Sequence, residues 1–322
     1  MMHMYFRFYW RYWFLFFCCL FLSGTLQDAA AQETASSSKE VLAFISDTQS
    51  PMWIESIALK RNQNERATRM LFDHILADST YKAVFNFGDV TAHSASEKAW
   101  EFMDSVMTRA EQRRLSMYAA IGNHDYFFSA EEGERNFKKR FPDFRRTGNV
   151  VKIKNSAFVL FNSNFTRLSK TEQQTQLAWY KTTLDSLERD STVINVFVGC
   201  HHPPYTNNTM VSGSADVRNL YVPPFIQHNK CKLFLSGHAH AFEHFKKFGK
   251  DFLVLGGGGG IQHTLLLGDQ QREKDLFPLQ TEKRMFHYLR CEITRQQIQI
   301  SVMMIRKDFS GIDPVYTFTI PK

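Results

Sequence analysis

Five short apolar runs in this chain end the same way, on residues able to bind a metal ion. Residues 41–46 lead to Asp47, 83–88 to Asp89, 117–122 to Asn123, His124 and Asp125, 193–200 to His201 and His202, and 232–237 to His238 and His240. Apolar runs this short, alternating with stretches of helical spacing, read as the strands of an α/β fold. In such a fold functional groups gather at the carboxyl ends of the strands. Neighbouring strands lie about 4.8 Å apart, so several strand ends can deliver side chains to one small pocket. Gly88, Gly122 and Gly237 each precede a candidate ligand, as a sharp backbone turn at a strand end requires. Taken singly, an Asp after a strand is a turn former or helix cap. Five such strand ends at one structural position point to a metal site.

The rest of the chain supports that reading. Residues 56–79, 96–114 and 171–189 carry helical spacing, the first with Ile57, Met70, Leu71, Ile75 and Leu76 on one stripe. Residues 150–154 and 157–161 pair around a turn at Asn155-Ser156. After the glycine run 256–260 the pattern is strand-only, at 286–294, 297–306 and 315–320. No internal repeat or interdomain linker is visible. The expected fold is a single α/β domain over 40–322, with two β-sheets flanked by helices.

Composition excludes little beyond the extremes. Hydrophobic residues at 43% and charged residues at 22% exclude a disordered or collagen-like chain. The formal charge of +7 permits nucleic-acid contact. No basic cluster interleaved with aromatics appears beyond pairs such as Lys246-Lys247, so no nucleic-acid partner is indicated.

The first residues read as an address. Arg7 and Arg11 precede an apolar run at 12–22, and Ala29-Ala30-Ala31 follows. A basic start, a short apolar core and an A-x-A-like site describe a secretory signal peptide over 1–31, with a flexible linker at 32–39. The run is too short to span about 30 Å of hydrocarbon, so membrane contact is expected only through the transient leader. Loss of Arg7, Arg11 and Asp28 changes the charge from +7 to +6. Cys200, Cys231 and Cys291 remain, an odd set that reads as buried thiols, with a Cys200–Cys231 bridge as the minor alternative. The expected localisation is secreted or periplasmic.

G-D at 88–89, G-N-H-D at 122–125, H-H-P-P at 201–204 and G-H-A-H at 237–240 resemble the calcineurin-like metallophosphoesterase superfamily. The likeness spans about 41–260, and H-A-F-E at 240–243 with the glycine run leans toward its purple-acid-phosphatase-like branch. It implies a four-layer αββα sandwich of two mixed sheets, the strand-rich tail forming the second sheet and the metal site at strand carboxyl ends. It also implies two divalent metal ions, drawn from Mn, Zn or Fe. Asp47, Asp89 and His240 would hold the first, and Asp89, Asn123, His201 and His238 the second. His201 is preferred to His202 because the family ligand stands in an H-x-P context. His124 would sit beside the reacting phosphate, with Asp125 holding its ring.

Such a pair of dications about 3.5–4 Å apart can bind a phosphate oxygen and activate water for in-line attack. The expected function is hydrolysis of a phosphate ester, a small-molecule phosphomonoester favoured, by direct attack of metal-bridging hydroxide. A phosphodiesterase or nuclease on the same site is the nearer alternative. A non-catalytic metal-binding envelope protein is the other, and only Gln49 supports it. Where the family commonly has D-x-H, this chain has Asp47-Thr48-Gln49, and Gln49 can ligate only through its carbonyl oxygen. His93 is either a loop histidine or a replacement ligand. Ala92 stands where the purple branch has Tyr, so no tyrosinate-to-ferric colour is expected. His202 either contacts substrate or packs, and His263 stands at the rim or in the fold. His74, His228, His244 and His287 read as structural. Specificity is expected in 126–144 and 205–224, with Trp53 as a packing or rim residue. The sequence specifies neither a particular substrate nor an oligomeric state.

Overall fold

The computed structural model of the chain describes residues 39–50 and 63–322. The segment read as a leader, the linker up to residue 38, Trp53 and Ile57 lie outside the described residues. Among the described residues no helix is long and apolar enough to cross a membrane.

Twelve strands are described: β1 (Glu40–Ile45), β2 (Tyr81–Asn86), β3 (Ser116–Ala119), β4 (Asn149–Ile153), β5 (Ser156–Leu160), β6 (Asn195–Gly199), β7 (Cys231–Ser236), β8 (Phe242–Lys247), β9 (Lys250–Leu255), β10 (His287–Ile293), β11 (Gln297–Ile305) and β12 (Ile312–Pro321). The helices are α1 (Asn64–Ala77), α2 (Glu101–Gln112), α3 (Ala130–Arg140), α4 (Lys170–Arg189) and α5 (Val222–Gln227). One six-stranded sheet runs β12-β11-β10-β1-β2-β3 and the other β4-β5-β6-β7-β9-β8. Strands β1, β2 and β3 are parallel, as are β5, β6, β7 and β9.

Strand side chains alternate faces, and here both faces are buried. Val41, Ala43 and Ile45 of β1 pack under α1 and α2 against Leu71, Ile75, Met103 and Val106. Leu42 and Phe44 of the same strand face the other sheet, meeting Phe158, Phe197 and Leu233. The outer face of the second sheet, with Val159, Val198 and Phe234, packs on Tyr180, Leu184 and Leu187 of α4 and Phe225 of α5. Three apolar layers between four layers of structure make the αββα sandwich. The intersheet layer is rich in phenylalanine. Phe44 lies about 6 Å from four other rings, those of Phe85, Phe87, Phe158 and Phe197, and Phe85 and Phe197 stack on Phe158 at 4.1 and 4.7 Å.

One expectation is corrected. The tail does not form the second sheet. Strand β10 pairs antiparallel with β1, Leu42 opposite Cys291, so β10–β12 extend the first sheet. The physical reason is edge pairing: β2 and β3 build out on one side of β1, and the tail satisfies the backbone groups on its other side. The second sheet comes from 149–255, including the β8–β9 hairpin. Cys200, Cys231 and Cys291 are free and buried, so the minor alternative of a Cys200–Cys231 bridge is not formed.

Candidate metal centre

The carboxyl ends of β1, β2 and β3 meet those of β6 and β7 at one edge of the sandwich. Backbone bonds tie these ends together: Asp47 N–H donates to Gly88 O at 3.0 Å, Gln49 N–H to Asp89 O at 3.2 Å, and Gly237 N–H to His201 O at 2.9 Å. Asp47, Asp89 and His238 have φ of 57°, 52° and 66°, the left-handed region that non-glycine residues seldom occupy. Strain of this kind costs roughly 1–3 kcal/mol per residue and persists where the surroundings over-determine it. Here it turns three side chains out of the strand direction and into one pocket. Gly122 and Gly237 permit the close approach. A Cβ at Gly122 would run into the Asp89 carboxylate, and one at Gly237 into Ser46 and the Asp47 carboxylate.

Two groups of ligand atoms result, each lying within 4.8 Å of one another. One is Asp47, Asp89 and His240; the other is Asp89, His201 and His238, with Asp89 common to both. Asn123 joins the second group, its Oδ1 3.0 Å from His201 Nε2. The imidazoles are prepared as ligands. His201 Nδ1 faces Phe87 O at 3.0 Å and His240 Nδ1 faces Ile261 O at 2.7 Å. A ring whose Nδ1–H donates to a carbonyl keeps the lone pair of Nε2 free, and such partners fix tautomer and orientation at metal sites. The Nε2 atoms face carboxylates, His201 at 3.3 Å from Asp89 and His240 at 3.3 Å from Asp47.

Gln49 belongs with the first group. Its amide is satisfied with the nitrogen donating to the backbone oxygens of Asp89 at 3.0 Å and Asp47 at 3.3 Å. The carbonyl oxygen then occupies the position 3.4 Å from both Asp89 Oδ2 and His240 Nε2. His93 is in neither group; its ring stands edge-on to Phe128 at 5.4 Å.

The electrostatics are those of a buried nest of ionisable groups. Burial opposes ionisation of Asp47 and Asp89, yet neighbouring imidazoles hold both below the usual carboxylate range. Burial likewise opposes charge on His201, but Asp89 and Asp47 raise it to about 9, so a cation would have to displace the proton on Nε2. His238 is driven down to about 2 by burial and by His202 and His201, so its ring is neutral, the form a metal takes. Two carboxylates, three imidazoles and two amide oxygens converging in a buried pocket fit divalent metal binding.

Asp125 requires a correction. It does not hold the His124 ring. Fully buried, it accepts hydrogen bonds from Gly122 N at 2.8 Å, Asp89 N at 3.1 Å and Ser94 Oγ at 2.8 Å. Residues 124–126 form a 3-10 turn, in which consecutive side chains diverge by about 120°. Asp125 therefore braces the backbone of the two loops. Burial and the Asp89 charge raise its pKa to about 7. His124 Nδ1 instead meets Ala92 O at 3.3 Å, and its N–H donates to Asp89 Oδ1 at 2.8 Å.

The other histidines divide as follows. His263 stacks on His240 at 4.2 Å and accepts its N–H, so it backs the site. His74 bonds Tyr288, His228 bonds Asp185, His244 bonds Asp251 and His287 bonds Met285 O, all within the scaffold. Sequence reading missed Ser94 and the backbone carbonyls of Phe87, Ala92 and Ile261. The stretch 126–144 is largely helix α3, preceded by Phe128, which is 81% exposed at φ 66°.

A family model described as calcineurin-like phosphoesterase matches residues 41–242. No match was found among curated protein sequences. Two solved structures share the fold. The Plasmodium protein GAP50, described as the anchor in the inner membrane complex, is 12% identical over 88% of this chain and 89% of that one, with a TM-score of 0.64. A dimetal phosphatase from Danio rerio is 14% identical over 88% of this chain and 98% of that one, with a TM-score of 0.56.

Proposed function

Because the chain belongs to the calcineurin-like phosphoesterase family, we propose that it hydrolyses a phosphate ester with two divalent cations. Asp47, Gln49, Asp89 and His240 would hold one, and Asp89, Asn123, His201 and His238 the other. The observation that carries this reading is the sharing of Asp89 by two adjacent ligand groups. When bound, such cations neutralise phosphoryl charge and lower the pKa of water between them. The chain's own residues do the rest. The carbonyls of Phe87 and Ile261 orient His201 and His240. Asp125 ties Gly122 and Asp89 so that Asn123 and His124 face the phosphoryl group. His124, its Nδ1 against Ala92 O, presents Nε2 4.0 Å from Asp89, where it can donate a proton to the leaving oxygen.

The proposed substrate is a small phosphomonoester, in keeping with the dimetal phosphatase likeness. Retention of His124 favours catalysis over a purely metal-binding role, which has no use for a proton donor there. Secretion is proposed from Arg7, Arg11, the apolar run 12–22 and Ala29-Ala30-Ala31. The test is elemental analysis with turnover of a chromogenic monoester and diester, in folded protein offered Mn, Zn and Fe. Metal and faster monoester cleavage are expected. Faster diester cleavage replaces the substrate class, and absence of both metal and turnover removes the proposal. Secretion is tested by the amino terminus of the exported protein, expected at Gln32.

A further inference from the structure

His202 is adjacent in sequence to a proposed ligand, yet its hydrogen bonding is opposite to that of His201. Its own N–H donates to Ser163 Oγ at 2.9 Å, and the same oxygen lies 2.9 Å from its Nδ1. Ser163 is 4% exposed. A serine hydroxyl has one proton and two lone pairs. With one lone pair taken by the amide, the hydroxyl proton finds its strong acceptor in Nδ1. The reverse arrangement would leave that buried proton only the Cys200 sulfur, a weak acceptor, at a cost. The ring's own proton therefore sits on Nε2. His201, with Nδ1 against a carbonyl, offers a lone pair to a cation; His202 offers a hydrogen.

The placement suits that hydrogen to a phosphate. The His202 ring lies 4.4 Å from His238 and 5.0 Å from His201, centre to centre. It lines a cleft of about 290 Å³ shared with Asn123, Ser163 and Phe127. Nδ1 faces Ser163, so the Nε2 edge is the one left for the cleft. We infer that His202 is a phosphoryl-binding residue: its Nε2–H donates to a non-bridging oxygen of a phosphate group held at the second cation position. This rests on the phosphoesterase reading. It adds a second donor beside His124, from a different strand end.

The test is long-range nitrogen–proton NMR of the histidines in the full chain, together with calorimetric binding of inorganic phosphate to the metal-loaded protein. The wild type is expected to show His202 protonated on Nε2, with that resonance shifting when phosphate is added. His202→Phe keeps a ring and removes the donor, and is expected to weaken phosphate binding about tenfold or more at unchanged metal content. His202→Gln, which retains an N–H, should recover part of the loss. If His202→Phe folds poorly, Ser163→Ala carries the same test, with a mixed tautomer and weaker phosphate binding expected. A wild-type ring protonated on Nδ1 overturns the inference. So does phosphate affinity unchanged in His202→Phe, and in that case the phosphoesterase reading stands. Metal-loaded wild type that binds no phosphate removes both.

Discussion

The intersheet layer and the metal-binding edge lie at opposite extremes of how this sandwich uses side chains. Between the sheets, Phe44 touches four other phenylalanines, and none of the buried apolar residues packed there has a left-handed backbone. At the edge, Asp47 and Asp89 hold left-handed backbone, and three carboxylates are buried. The first region stabilises the fold through apolar area removed from water. The second stores backbone strain and like-charge repulsion, and neighbouring imidazoles offset part of that repulsion. Stability and function are thus separable by position. Substitutions in one region are expected to leave the other's observable nearly unchanged.

The largest expected effect is at the edge. Asp89→Asn removes the shared carboxylate, and metal affinity should fall by at least about a hundredfold with activity lost. The thermal midpoint of the metal-free protein should change little, because the lost pairing with His201 is set against relief of repulsion with Asp125 and Asp47. Titration with metal and a melting curve check both halves. A variant that keeps both metals would break the separation.

Phe44→Ala is the converse. Truncating a fully buried ring should cost about 3–5 kcal/mol in denaturant unfolding. Ligand positions would be kept, so metal stoichiometry of the folded fraction should not change. Loss of metal without loss of stability would contradict the proposed division.

His287 joins the two regions, since β10 carries it beneath Gly257 of the glycine run. Burial, above all, lowers its pKa to about 4 from an ordinary 6.5. The folded form thus favours the neutral ring. Its stabilising contribution is present above pH 6.5 and is lost as pH falls toward 4, at up to about 1.4 kcal/mol per pH unit. Unfolding of metal-free wild type should steepen with acid over that window more than that of His287→Gln. Parallel curves would show that His287 is not held neutral.

The smallest effect is at Phe128, 81% exposed and left-handed. Phe128→Gly should raise stability by about 1 kcal/mol, since glycine accepts that backbone without strain. A destabilised variant would show that the exposed ring contributes packing.

What the sequence disclosed follows from the same contrast. Strand ends were legible because apolar runs stop abruptly at Asp47, Asp89, Asn123, His201 and His238. Helix α3 was hidden by its polarity, although Ser129 and Glu132 carry an N-terminal capping signal that could have revealed it. The tail's sheet was misplaced because strand patterns carry no record of which edge they pair with. Asp125 was misassigned because adjacency in sequence does not mean contact within a 3-10 turn. The carbonyls of Phe87 and Ile261 were invisible because every residue carries one, and only folding selects which faces an imidazole.

The most direct test is anomalous diffraction at the absorption edges of Mn, Zn and Fe, from crystals of the metal-loaded protein. The account predicts two peaks about 3.5–4 Å apart with the Asp89 carboxylate between them. A single peak, or peaks away from Asp47, Asp89 and His201, would contradict it.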